Sequence, residues 1–316
     1  MSTFKKVIFV LTLMSIFNVS HGQQIPLNPV SYRLFNPFLF NPAIAGSKDF
    51  FSVDLLAGFL GKNNSQVISG NTRLMKKIPY HVSSPKILNY SNIGIGASVF
   101  HDFNNISRSA GISAAGSYHL RLERKALTFL SFGASAKGIY HHFEGDSELN
   151  IPSKTFIIPD FDAGIYFYNP NIFIGVSANN ILGKHEDPDT LDTYTIPISR
   201  KYLFHAGYKF VISKSLKVVM EPSVIAVTDD SLNFDLKEMI KPALRLFIGD
   251  FCLGTYFNDF DKISFFFQFK YPSFYVGSYF EMPKNSPFYK KSLTAEIAFG
   301  INFWGNKSGY TDGSHW

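Results

Sequence analysis

The sequence predicts an all-β fold, a transmembrane antiparallel β-barrel of about fourteen strands with short periplasmic turns and longer extracellular loops. Three observations carry this. Segments of alternating polarity recur along nearly the whole chain. An export leader stands at the N-terminus, and no later run has the roughly 18 apolar residues of a spanning helix. The connections between segments alternate between short and long.

The leader comes first. Residues 1–22, MSTFKKVIFVLTLMSIFNVSHG, place Lys5 and Lys6 before an apolar run from Val7 to Phe17, with the small residues Ser20 and Gly22 beyond it. This is the pattern of a secretory signal peptide cleaved after Gly22. Its loss lowers the net charge from +6 to +4. A mildly basic chain without a Lys/Arg tract is no nucleic-acid binder. The single cysteine, Cys252, excludes an intramolecular disulfide and lies in a strand-like run, the setting of a buried, inert thiol. Aromatic residues make up 16% of the chain and charged ones only 17%, a balance that suits an apolar outer band with interfacial girdles.

The closing segment shows the pattern best. In Leu293–Phe303, the residues Leu293, Ala295, Ile297, Phe299, Ile301 and Phe303 share one face. Thr294, Glu296, Ala298, Gly300 and Asn302 share the other. A period of two is a strand. In a soluble sandwich the apolar face would point to a core; in a membrane barrel it points to lipid and the polar face lines the lumen. The earlier segments are Phe51–Leu60, Ser65–Met75, Ser91–His101, Ser109–Arg121, Ala126–Tyr140, Ile157–Tyr168, Asn171–Asn180, Lys201–Val211, Ser215–Ala226, Lys241–Gly249, Phe251–Asn258, Lys262–Lys270 and Ser273–Glu281. Most reach the roughly 9–11 residues that a tilted strand needs to cross a bilayer.

Connections after even-numbered segments are mostly short: Leu122–Lys125, Asn169–Pro170, Ile212–Lys214, Asp250 and Tyr271–Pro272. Those after odd-numbered segments are often long: His141–Phe156, Ile181–Arg200, Val227–Ile240 and Met282–Lys291. This places the short turns and both termini in the periplasm. Lys76–Tyr90, with Pro79 and Pro85, breaks the rule, as do the short first and eleventh connections, and the one-residue gap at Asp250 is where the count is weakest. Residues 305–316 form a short polar tail.

No catalytic set emerges. There is no G-x-S-x-G elbow, no Walker loop and no G-x-G-x-x-G after a strand, and no cofactor is expected. Gly94 and Gly96 share one face of an alternating strand and read as close packing in the barrel. Glu221 and Glu296 read as lumen-facing residues. Two polar clusters fall in long outer loops: His141, His142, Glu144 and Asp146, and then His185, Glu186, Asp187 and Asp189. Adjacent histidines on a strand point to opposite faces and cannot share one metal, and neither cluster has zinc or EF-hand spacing. Both read as solvated loops.

Residues 23–50 form an N-terminal segment expected to pack on or in the barrel. Its stretch Tyr32–Ser47, YRLFNPFLFNPAIAGS, has Asn-Pro pairs at Asn36–Pro37 and Asn41–Pro42. Asn-Pro favours turns. A plain linker has no use for Leu34, Phe35, Phe38, Leu39, Phe40 and Ile44, so this stretch packs against the rim or the lumen.

The same stretch resembles the N-terminal signature of the PorP/SprF family, outer-membrane proteins associated with type IX secretion in Bacteroidota. Further similarity follows in SAAGSYHLRL (Ser113–Leu122), PDFDAGIYFYNPNIFIGVSANNIL (Pro159–Leu182), RKYLFHAGYKF (Arg200–Phe210), LKVVMEPSVI (Leu216–Ile225) and the last strand. The resemblance implies a non-enzymatic barrel of the Gram-negative outer membrane. It implies a scaffold or docking protein for secretion or surface anchoring of cargo with a C-terminal sorting domain, gliding adhesins among them. It also implies links to peptidoglycan-associated components of the periplasmic secretion and gliding machinery. Asn36, Pro37, Asn41, Pro42 and Gly46 are then the candidate partner contacts, and His141, His142, Glu144, His185 and Asp187 the outer-loop candidates. The alternative function is an outer-membrane transporter or channel for small hydrophobic molecules, with the N-terminal segment as its plug.

Overall fold

The strands run with their apolar faces outward and their polar faces inward, the reverse of a soluble sheet protein. The computed structural model describes residues 35–48, 51–60, 63–75, 90–103, 107–123, 126–144, 153–183, 200–229, 239–258, 262–270, 274–283 and 294–303. A one-turn helix α1 (Pro37–Phe40) and a 3-10 turn (Pro42–Ile44) precede the strands. These are β1 (Phe51–Leu60), β2 (Asn63–Met75), β3 (Tyr90–Phe103), β4 (Ser107–Glu123), β5 (Thr128–Phe143), β6 (Lys154–Tyr168), β7 (Ile172–Asn179) and β8 (Lys201–Tyr208). There follow β9 (Phe210–Ser213), β10 (Val218–Asp229), β11 (Ile240–Ile248), β12 (Phe251–Asn258), β13 (Lys262–Lys270), β14 (Phe274–Pro283) and β15 (Thr294–Phe303).

Each strand pairs antiparallel with its neighbours, and three pairings close the ring. β15 pairs with β1, from Phe51↔Phe303 to Leu60↔Thr294. β10 pairs with both β8 and β11. β8 and β9 are two parts of one predicted segment, broken at Lys209, so the barrel has fourteen staves. At the break the Lys209 amide leaves β10 and donates to the Asn171 carbonyl at 2.7 Å. The gap at Asp250 is a true turn: Gly249, at φ +57°, takes the left-handed conformation that glycine adopts at little cost. Asn169 shapes the β6–β7 turn, its side chain accepting from the amides of Asn171 and Ile172 at 2.8 and 2.7 Å.

The inversion of polarity is complete enough to fix the solvent. Ile112 is 64% exposed and Ile157 81%, while His119, Asp160, His205 and Glu221 are fully buried. Water would penalise the first set and reward exposing the second; a hydrocarbon surround reverses both. In β15, Ile297 is exposed and Phe299, Ile301 and Phe303 half-buried, whereas Glu296, Ala298, Gly300 and Asn302 are buried inside. The lipid and lumen faces expected for this strand are therefore the ones found. Among the described residues no helix is long and apolar enough to cross a membrane.

Candidate functional site: a stoppered lumen

The lumen is filled. On one side β10–β14 contribute Phe247, Cys252, Tyr256, Phe266 and Tyr279, all buried, which pack with Leu56 and Val67 from β1 and β2. Cys252 is thus the buried thiol its sequence setting predicts. Glu221 and Arg245 face each other as a buried ion pair within this side. On the other side the lumen holds residues 35–47, whose Phe35 and Phe40 join the aromatic cluster while Phe38, Ala43, Ile44 and Ala45 form a second one.

This segment folds on itself because of its two Asn-Pro pairs. Each proline sits at the first position of a turn, where its missing amide costs nothing. Amide-to-carbonyl bonds run from Leu39 to Asn36, Asn41 to Pro37, Ile44 to Asn41, Ala45 to Pro42 and Ser47 to Ile44. Asn41 caps the second turn, its Oδ1 accepting from the Ala43 amide at 3.0 Å.

Side chains of the wall take up the remaining carbonyls. Ser177 donates to Phe40 O at 2.9 Å, Ser131 to Ala43 O, and Ser117 to Ala45 O at 2.6 Å. His119 Nε2 lies 2.8 Å from the same Ala45 oxygen, and its Nδ1 lies 3.0 Å from Tyr168 Oη. A neutral ring protonated on Nε2 satisfies both contacts. Asn179 Nδ2 spans Leu39 O and Phe40 O, at 3.4 Å each. In return Asn41 Nδ2 donates to the wall carbonyls of Ile165 and Val176, at 3.1 and 3.2 Å. Room for these approaches comes from wall glycines. A Cβ at Gly94 would collide with Ala45 O, one at Gly133 with the Pro42–Ala43 peptide and one at Gly164 with Asn41 Oδ1.

A further polar group sits beyond the stopper, toward the long loops. Lys137 Nζ lies 2.6 Å from Asp162 Oδ1 and 2.6 Å from Asn180 Oδ1, and Ser135 donates to Asp162 at 2.7 Å. The amides of Asn180 and Leu182 donate to Asp162 and Asp160, at 2.9 and 3.2 Å. The two aspartates of β6 thereby fold the end of β7 back against the wall. Sequence reading quoted both stretches, PDFD and SANNIL, but gave neither this partner. An Asp-x-Asp on an inward face, opposite an Asn-Asn strand end, is the signal that could have found it.

The structure separates the sequence candidates. Asn36, Pro37, Asn41, Pro42 and Gly46 lie in the segment inside the lumen, where Asn41, Pro42 and Gly46 meet the wall; the Gly46 amide donates to Asn71 Oδ1 at 3.4 Å. His141 and His142 belong to β5 and face opposite ways, His141 buried against Ser109 at 2.7 Å and His142 half-buried beside Thr155 at 2.8 Å. Glu144 pairs with Arg108 at 2.7 Å on the rim. His185, Asp187, the leader and the C-terminal tail lie outside the described residues. Among the described residues no group of three or more His, Cys, Asp or Glu side chains could hold a metal ion.

A closed barrel with an apolar outer face and a polar, stoppered interior is an outer-membrane β-barrel. A family model described as type IX secretion system membrane protein PorP/SprF matches residues 23–301, and the chain belongs to that family. Solved structures of similar fold include the outer-membrane protein Omp33 of Acinetobacter baumannii, at 14% identity and a TM-score of 0.42 over 82% of this chain and 100% of that one. The β domain of the Bordetella autotransporter BrkA shows 6% identity and a TM-score of 0.35 over 81% and 98%. A Rh. blastica porin mutant shows 6% and 0.31 over 80% and 99%. No curated protein matches this sequence.

Proposed function

We propose that this outer-membrane component of type IX secretion works without catalysis, as a scaffold and docking protein for secretion or surface anchoring of cargo. The observation that carries the reading is the filled lumen. A barrel whose interior is packed offers partners its two ends, not its inside. The long connections at one end would receive cargo with a C-terminal sorting domain, such as an adhesin. The short turns at the other would meet peptidoglycan-associated secretion and gliding components of the periplasm. With Asn41, Pro42 and Gly46 engaged by the wall and Asn36 and Pro37 in the same turn segment, those five residues would reach a partner only when the segment leaves the lumen. The packed aromatic side also leaves little room for the passage of small hydrophobic molecules. A mild-detergent pull-down read by mass spectrometry tests the proposal: cargo and a periplasmic component should copurify. A surface and secreted proteome unchanged by deletion of the gene would sink it.

A further inference from the structure

The stopper is bound like a ligand and not like a part of the wall. Among the described residues, every backbone-to-backbone hydrogen bond of residues 35–47 runs within the segment, and none joins it to a strand. Its ties to the barrel all involve wall side chains or the Asn41 side chain: bonds from Ser117, His119, Ser131, Ser177, Asn179 and Tyr275, the Gly46 amide to Asn71, and the two donated by Asn41. Water can replace each of these one for one.

The seat itself is built largely of groups that tolerate water. Where the stopper lies against β3–β7, the wall presents serine hydroxyls, a histidine, an asparagine and bare glycine backbone, beside the apolar contacts of Ala115, Tyr166 and Phe173. Asn36 is fully buried inside the barrel, and neither atom of its amide has a hydrogen-bond partner among the described residues. A buried amide in that state belongs to a hydrated setting. Across the lumen, Phe247, Tyr256, Phe266 and Tyr279 make a dry core of wall side chains, onto which the stopper adds Phe35 and Phe40.

We propose that residues 35–47 are a displaceable ligand of the lumen wall, and that the β3–β8 half of the lumen is a conduit for water and small hydrophilic solutes once the ligand withdraws. The wall recognises an Asn-Pro turn by two marks. It reads the carbonyls that such a turn leaves unpaired. It reads the Asn41 amide through two wall carbonyls, Ile165 O and Val176 O, which accept from an amide and repel a carboxylate. The inference is independent of the docking reading, because it concerns the inside of the barrel and not its ends.

Potassium chloride conductance in planar bilayers tests it, on full-length protein checked for heat-modifiable migration. Wild type should be nearly silent and should open reversibly in moderate urea, which releases the segment before the barrel unfolds. Asn41→Asp should raise the open fraction about tenfold or more, the loss of two donors being worth at least one such factor. A variant lacking residues 35–47 should conduct steadily, and a synthetic peptide of those residues should reclose it where the Asn41→Asp peptide does not. If that variant does not fold, Asn41→Asp and urea-treated wild type decide. Folded barrels that stay silent in both would overturn the conduit. Steady conductance that the wild-type peptide fails to suppress would overturn the recognition.

Discussion

The two sides of the lumen were written in the same alternating pattern yet became different interiors. From β3 to β7 many inward positions are small or polar, Gly94, Ser117, Ser131, Gly133, Gly164 and Ser177 among them, with Tyr166 and Phe173 as large exceptions beside the stopper. From β11 to β14 they are large: Phe247, Tyr256, Phe266 and Tyr279. The first wall leaves space and hydrogen-bonding groups for a guest peptide. The second fills most of its own space and admits only Phe35 and Phe40 from that peptide. Alternation tells which face points inward; residue size on that face tells whether the barrel packs itself or receives something.

Breaking the ion pair of the self-filled side should have the largest effect. Arg245→Leu strands the buried Glu221 carboxylate and should cost about 3–5 kcal/mol in equilibrium urea unfolding, and pairing it with Glu221→Met should restore most of the loss. The sharpest contrast between the walls comes next, from one substitution made on each. Gly164→Val drives a methyl group into Asn41 Oδ1, and Gly254→Val drives one into the Phe266 ring. Each should cost about 1–3 kcal/mol, by different routes. The first should expose residues 35–48 to limited proteolysis while the barrel keeps its heat-modifiable migration. The second should lower the barrel's unfolding midpoint and leave that segment protected.

Ser117→Ala should cost less, about 0.5–1.5 kcal/mol, because His119 still serves the Ala45 carbonyl. Its effect should appear in the protection of residues 35–48 before it appears in barrel unfolding. Arg108→Ala lies outside the comparison, on the rim, where the ion pair with Glu144 is about half exposed, and should change stability by about 0–1 kcal/mol. A larger loss there would mean that the rim, and not the lumen, holds the barrel together.

Much of this was legible because period-two alternation is a local property. All fourteen staves were readable, and so was the inward set Glu296, Ala298, Gly300 and Asn302 of the closing strand. The opposed faces of His141 and His142 followed from the same rule. What lay further off was not. The apolar density of Phe35–Ile44 announced that the segment packs, yet its wall partners stand up to 240 positions away, as Tyr275 does from Phe35. Gly94 and Gly96 were read as packing between barrel elements, and their true neighbours are Ala45 and Phe38. The break at Lys209 carried no signal of its own, since the alternation of polarity continues across it.

That break also says where the bilayer stops. Beyond it, β9 is bonded only to β10, so one of its edges carries backbone groups that no neighbouring strand receives. Hydrocarbon does not tolerate such an edge, because each unsatisfied amide or carbonyl there costs several kcal/mol. Phe210–Ser213 must therefore stand among headgroups or in water. Tyr208 and Phe210 straddle the boundary with ring centroids 4.5 Å apart, a pair of interfacial aromatics at the water line.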